Sequence, residues 1–273
     1  MPNRPSFTTR ALVADDTEAE AMARRAGAHG IYVTNAFANG ECDGFVCSHD
    51  GRDSVLCWFG ARGNVVLIGP DELEPAAIAA VIDQILQRRR SWRIVMGPRP
   101  LVEALRARTA AKPLVLRDQV YYRGSAATAA QELVRGDVRA AERADRDRLV
   151  QATLLLNASD LHIPPSQVDR RWLRDTIDER IADGTTRVLG PVGSVHCKLD
   201  LGSRGPGGTV IEGVFTFPEQ RGRGLAAALV ASQLAAEPGA SCLHVGVHNA
   251  PARAAYARAG MAEVGRCHLL LLG

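Results

Sequence analysis

The stretch Pro218-Glu219-Gln220-Arg221-Gly222-Arg223-Gly224-Leu225-Ala226-Ala227 carries the plainest chemistry in the sequence. Glycines at this spacing let successive backbone N–H groups turn toward one locus. The apolar run from Leu225 to Ala236 reads as a helix, so that locus lies at a helix N-terminus. Uncapped amides and the positive helix end both favour an anion, above all a phosphate or pyrophosphate. Taken alone, the same letters also describe a glycine-rich turn with two arginines in solvent. The flanking residues decide between the two.

A strand-like run, Ile211-Glu212-Gly213-Val214-Phe215-Thr216, leads into the loop. One helix and one strand later comes Asn249-Ala250-Pro251-Ala252-Arg253-Ala254-Ala255-Tyr256-Ala257-Arg258-Ala259-Gly260-Met261. R-x-x-G-x-A at Arg221, Gly224 and Ala226, followed by N-x-x-A-x-x-x-Y-x-x-x-G, closely resembles the GCN5-related N-acetyltransferase (GNAT) superfamily. Met261 stands where the family pattern has Phe. The resemblance spans 137–273 and is especially similar to tandem GNAT proteins with a divergent, DUF4081-like N-terminal half. It implies an α/β (α+β) fold of two tandem GNAT-like domains, each a mixed, mostly antiparallel sheet flanked by helices. It also implies acetyl-CoA as co-substrate, no metal, and transfer of an acetyl group to an amine by direct attack in a ternary complex.

Roles follow residue by residue from the resemblance. Amides of Arg221, Gly222, Arg223, Gly224, Leu225 and Ala226 would hold the CoA pyrophosphate. The backbone edge at Val214, Phe215 and Thr216 would pair with the pantetheine arm as an added strand does. Asn249 would cap the next helix or touch the cofactor. Tyr256 would give its proton to the departing CoA thiolate as general acid. Glu212 is the candidate base: its strand is otherwise apolar, and burial raises a carboxylate's pKa toward useful values. The competing readings are a Glu212 satisfied by a neighbouring arginine and a Tyr256 at the edge of the core. The chain departs from the family at His244-Val245-Gly246, where relatives often carry Tyr-Val-Asn. His196, His244 and His248 therefore weigh as structural histidines or as a substitute base. Asn157, Asp160 and His162 fall in the loop that lines the acceptor site in GNAT proteins; a solvated loop turned by Pro164-Pro165 is the alternative.

Positioning these residues takes two similar runs of elements. The first half reads as a helix over 15–28 and strands at Ile31 to Val33, Gly44 to Ser48, Ser54 to Phe59 and Val65 to Ile68. A helix opening at Pro75, a strand at Arg93 to Met96, a helix at Leu101 to Arg108 and a strand at Leu114 to Tyr122 complete it. The second half reads as helices near 141–157 and 168–182, with Val168, Trp172, Ile177 and Ile181 as an apolar stripe. Strands follow at Arg187 to Leu189, Ser194 to Leu201 and Thr209 to Phe217, then the helix Leu225 to Ala236. A strand at Leu243 to Val247, a helix at Pro251 to Arg258 and a strand at Ala262 to Leu272 close the chain. The expected domains are 1–125 and 137–273, two copies of one plan. The first copy lacks the machinery: Asp71-Glu72-Leu73-Glu74 replaces the glycine loop, and Leu105 stands in the place of Tyr256. Three carboxylates there would repel a pyrophosphate.

Composition narrows the alternatives. Apolar residues are 46% and charged ones 23% of 273 residues, which excludes a disordered chain or a disulfide miniprotein. Lys plus Arg is 33 against 30 for Asp plus Glu, a net charge of +3. That does not call for a nucleic-acid partner, and Arg88-Arg89-Arg90 at a helix end answers the helix dipole. No apolar run is long enough for a membrane helix, and Met1 to Pro5 opens no signal peptide. Six cysteines without CxxC spacing read as reduced thiols in a cytoplasmic protein. The partner expected is a small-molecule or protein amine acceptor, with neither nucleic acid nor membrane. Two other functions compete: an aminoacyl-tRNA-dependent Fem-like transferase, and a non-catalytic acyl-CoA-binding sensor.

Overall fold

The computed structural model describes residues 7–61, 63–88 and 92–273. Met1 to Ser6, on which the signal-peptide reading rests, and Arg89 and Arg90 of the basic run lie outside the described residues. In chain order the first elements are β1 (Phe7–Ala11), α1 (Thr17–Arg25), α2 (Ile31–Ala38), β2 (Gly44–His49), β3 (Arg52–Phe59) and β4 (Asn64–Ile68). Then come α3 (Pro75–Arg88), β5 (Ile94–Gly97), α4 (Arg99–Ala107) and β6 (Pro113–Gly124). The second half adds β7 (Arg139–Ala140), α5 (Arg146–Asp160), α6 (Arg170–Ala182), β8 (Thr186–Leu189), β9 (Cys197–Gly205) and β10 (Gly208–Thr216). It ends with α7 (Leu225–Ala236), β11 (Ser241–Gly246), α8 (Ala250–Arg258) and β12 (Ala262–Leu272).

Local chemistry sets many of these boundaries. Asp16 Oδ1 accepts the Ala19 amide at 3.0 Å and caps α1. Asp169 Oδ1 accepts the amides of Arg171 and Trp172 and caps α6. Asp50 and Gly51 both have positive φ, 49° and 78°, as a two-residue turn between twisted strands requires. Two expectations fail here. Ile31 to Val33 is the first turn of α2, not a strand: Ile31, Val33, Ala36 and Phe37 are all buried, and packing overrides their β-branched preference. Trp172 is not part of an inner stripe; it is 60% exposed, while Leu173 and Ile177 turn inward.

The chain divides into two compact units. The first comprises Met1–Gln119, Gly205–Gly207 and Gly265–Gly273, the second Val120–Arg204 and Gly208–Val264. In the first, strands run in the order β1-β2-β3-β4-β5-β12-β6. Its β1–β2, β2–β3, β3–β4 and β5–β12 pairs are antiparallel and β4–β5 is parallel. Val81, Ile82 and Ile85 of α3 and Leu101, Val102 and Leu105 of α4 build its core against the sheet. In the second, the order is β6-β11-β10-β9-β8-β7, with β7–β8 and β8–β9 antiparallel and β10–β11 parallel. Each unit is a mixed sheet flanked by helices. Neither is one continuous stretch: residues of β12 from Gly265 on belong to the first unit, and those of β6 from Val120 on to the second.

The second unit buries both faces of its sheet. Leu199, Leu201 and Ile211 pack with Leu225, Leu229 and Val230 of α7. Phe215 and Phe217 pack with Leu149, Ala152, Leu173 and Ile177 of α5 and α6 on the other face. Asp145, fully buried, ties the start of this unit together. It accepts from Arg139 at 2.6 and 2.9 Å and from the amides of Glu142 and Gly193, both at 2.8 Å. Among the described residues no helix is long and apolar enough to cross a membrane.

Candidate active site

The site is built where β10 leaves β11. These parallel strands pair only at Thr209 with Ser241 and Val210 with Cys242. Beyond that point β10 runs on to Thr216 and β11 to Gly246 without pairing to one another. The parting begins beside Gly213, whose φ of 56° breaks the strand's alternation. Ile211 and Val214, three apart, therefore both face the α7 side, whereas Phe215 turns to the α5 and α6 side. An added Cβ at Gly213 would lie 2.6 Å from Asp200 Oδ2, so only glycine serves. The gap leaves the edge of Val214, Phe215 and Thr216 free of β11. Arg221 Nε donates to the Thr216 carbonyl at 3.3 Å.

The loop that follows is a cradle of backbone donors. Pro218 to Gln220 form a 3-10 turn, and Gly222 and Gly224 take left-handed φ of 76° and 73°. Gly224 is the N-cap of α7 and supplies no side chain to it. The amides of Gly222, Arg223, Gly224, Leu225, Ala226 and Ala227 have no hydrogen-bond partner among the described residues; the first amide satisfied by the helix is that of Ala228, at 3.1 Å from the Gly224 carbonyl. A side chain on Gly222 would meet nothing within 4 Å, so the ground before these amides is open. Beside Gly224 stands the Arg258 guanidinium, 3.5 Å from an added Cβ. Six unsatisfied donors, a helix N-terminus and a flanking cation fit a pyrophosphate. Arg258 escapes a motif reading because it sits two residues past Tyr256, at a position the family pattern leaves open. A cavity of about 490 Å³ opens on the same loop, lined by Arg135, Arg139, His196, Arg223 and Leu225 among others.

Tyr256 is 7% exposed and lies in the cluster of α7. Its ring meets Tyr122 edge-on at 6.0 Å, and the Tyr122 hydroxyl accepts from Arg253 Nε at 3.3 Å. The Tyr256 hydroxyl has no hydrogen-bond partner among the described residues. Burial raises its pKa, and the nearby Asp160 and Cys197 push the same way, so the phenol keeps its proton. Asp160, expected in the acceptor loop, is instead the last residue of α5 and lies within electrostatic reach of Tyr256. His162 in that loop holds a left-handed φ of 55°.

Glu212 lies on the opposite face from Tyr256. Its carboxylate rests over Gly202, where an added Cβ would be 2.5 Å from Glu212 Cδ, and its Oε2 is 3.7 Å from Arg180 Nη2 on α6. The two residues are therefore not neighbours on one face. Asn249 Oδ1 accepts the Ala252 amide at 3.2 Å, which makes it the N-cap of α8. His244 meets Tyr121 edge-on at 5.8 Å, His248 is exposed, and His196 lines the cavity. Among the described residues no group of three or more His, Cys, Asp and Glu could hold a metal ion.

Comparison with known proteins bears on the same region. Residues 158–261, which run from the end of α5 to the start of β12, match the model of the Acetyltransferase (GNAT) family. No curated protein matches the chain. Among solved structures, a Drosophila protein superposes with a TM-score of 0.59 at 13% identity, over 98% of this chain and 99% of its own. A GCN5-related N-acetyltransferase from Sphaerobacter thermophilus gives 0.52 at 16%, over 97% and 94%. An acetyltransferase of the GNAT family from Colwellia psychrerythraea gives 0.50 at 13%, over 98% and 100%. At such identities the likeness is one of fold, and it extends over both units.

Proposed function

We propose that this protein is an acyl-CoA-dependent N-acyltransferase that uses acetyl-CoA and moves its acetyl group to an amine by direct attack in a ternary complex. The observation that carries the reading is the run of unpaired amides from Gly222 to Ala227, opening beside strands that have parted. Acetyl-CoA would supply the activated thioester, its pyrophosphate on those amides and its pantetheine arm along Val214, Phe215 and Thr216. Glu212 takes the proton that the acceptor ammonium must lose, directly or through water. The amine nitrogen then forms its bond to the carbonyl carbon as the carbon–sulfur bond breaks. Tyr256, protonated until then, gives its proton to the sulfur, and the second proton that the nitrogen loses as the amide forms returns to the Tyr256 oxygen.

Direct attack is supported by the state of the thiols. Burial pushes Cys197 up to about 11 and Cys242 up to about 12, so neither offers the thiolate an acyl-enzyme would need. All six cysteines are free, which suits the cytoplasmic setting we assign to the reaction. The reading includes a tandem arrangement with a divergent, DUF4081-like first half that binds no acyl-CoA. Calorimetry with acetyl-CoA, joined to a free-CoA release assay over a broad panel of amines, tests it. One acetyl-CoA per chain and amine-dependent release are expected. Binding without turnover on any amine would leave an acyl-CoA sensor; no binding would end the reading.

A further inference from the structure

Glu212 is one corner of a four-charge cluster on the α6 side of the second unit. Lys198 and Asp200 of β9 are each 3% exposed and paired through Lys198 Nζ and Asp200 Oδ2. Asp200 Oδ1 accepts from Thr186 Oγ1 at 2.8 Å, and Oδ2 also meets Arg180 Nη1 at 2.5 Å. Burial pushes the Asp200 carboxyl up, but the Lys198 ammonium and the Arg180 guanidinium outweigh it and hold the group below its ordinary range. Asp200 is thus fully engaged, and it anchors Arg180 by one nitrogen. The other, Nη2, stands 3.7 Å from Glu212 Oε2, an ion-pair distance too long for a hydrogen bond.

The outer pair differs from the inner one in access. The side chains of Arg180 and Glu212 are 29% and 34% exposed, so both can be reached by a ligand. Two cations, Lys198 and Arg180, face two anions, Asp200 and Glu212, in these pairs. A bare ammonium would pair with Glu212 but face the Arg180 charge; a bare anion would meet the reverse. A ligand carrying one charge of each sign, close together, pairs with both and adds no net charge beside them.

We propose that the acceptor at this site is a free α-amino acid or a similar small amine with a carboxylate beside the reacting nitrogen. Arg180 takes the carboxylate with its remaining N–H groups, and Glu212 faces the ammonium. This rests on the acyltransferase reading for the chemistry, though not for the binding. A lysine side chain, a protein N-terminus or a polyamine has no carboxylate beside its amine and meets only half of the pair.

The test pairs each of a set of free amino acids with its carboxylate-free counterpart, phenylalanine with phenethylamine for example, and reads kcat/KM by CoA release. The wild-type ratio is expected to exceed tenfold in favour of the carboxylate, and Arg180→Gln to bring that ratio near one. Arg180→Lys keeps a cation against Asp200 and so guards against loss of the fold; it is expected to retain part of the preference. Equal use of both compounds by the wild-type protein, or an unchanged ratio in Arg180→Gln, would overturn the proposal. Calorimetry of the amino acids on CoA-loaded protein separates the two readings. Saturable binding that weakens in Arg180→Gln, with no turnover, would uphold the amino-acid site and remove the acyltransferase. Turnover confined to carboxylate-free amines would do the opposite, and neither binding nor turnover with the amino acids would sink the proposal.

Discussion

The two parallel strand pairs, β4–β5 and β10–β11, start from the same plan and end differently. In the first unit Asn64, Val65 and Val66 pair with Ile94, Val95 and Met96, and the strands end within two residues of that ladder. Where they end, Gly97 is packed so closely on Leu67 that an added Cβ would lie 2.6 Å from it. His29 Nε2 donates to the Leu67 carbonyl at 2.8 Å and occupies the edge that a ligand would need. In the second unit the ladder is two pairs long and six residues of β10 continue past it. The corner after β4 presents exposed Asp71, Glu72 and Glu74; the corner after β10 presents open amides. One plan can thus be closed by a histidine and three carboxylates, or left open for an anion and an extended arm.

The largest test of this contrast is to give the open corner the charge of the closed one. Gly224→Glu puts a carboxylate among the six free amides, and acetyl-CoA affinity is expected to fall by about a hundredfold or more, from charge repulsion and lost donors. Gly224→Ala carries the same left-handed strain, roughly 1–2 kcal/mol, without the charge, and is expected to lose much less. Equal losses in calorimetry would mean that backbone strain, not the anion cradle, explains the first variant. Next in size, Tyr256→Phe is expected to lower kcat by about a hundredfold with acetyl-CoA affinity unchanged, the usual scale for removing a positioned acid. A wild-type rate would return Tyr256 to the core-edge role that its burial also allows.

Leu105, in the place of Tyr256, gives the matching test in the first unit. It is fully buried among Val81, Ile82 and Val102, so Leu105→Ala is expected to cost about 2–5 kcal/mol of stability by urea titration. Acetyl-CoA affinity of the folded fraction should not change. A loss of affinity equal to that of Gly224→Glu would contradict a cofactor-free first unit.

Much of this contrast could be read from the letters, and the reasons for the exceptions are physical. The bounds of α7 and β12 coincide with expectation because a glycine stop and a long apolar run define them locally. The loop glycines were legible because left-handed φ is a demand few other residues meet. Pairing is not local, so nothing in Gly265 to Leu272 announces that these residues pair with β5. The ion pair of Glu212 with Arg180 was equally hidden: Arg180 lies on a different element, 32 positions earlier, and no spacing rule links them. Ile31 to Val33 departs from its strand pattern for a related reason, since burial of a short helix outweighs the strand preference of its residues.

The smallest expected effect concerns the histidine that closes the first unit. Burial lowers the His29 pKa below 6.5, with the hydrogen bond to Leu67 opposing it, so the imidazole is held neutral. The folded chain then binds this proton less readily than the unfolded one. Above 6.5 its contribution is complete; as the pH falls below 6.5 the unfolded state gains a proton that the folded state does not, and stability declines. His29→Gln keeps a donor for the Leu67 carbonyl but cannot titrate. It is expected to change stability near neutral pH by about 1 kcal/mol or less, the scale of one net hydrogen bond. Its urea midpoint should also fall less steeply than that of the wild-type protein between pH 7 and about 5. Parallel pH profiles would show that His29 does not titrate with unfolding, and that the closed end of β4 owes its integrity to packing on Gly97 instead.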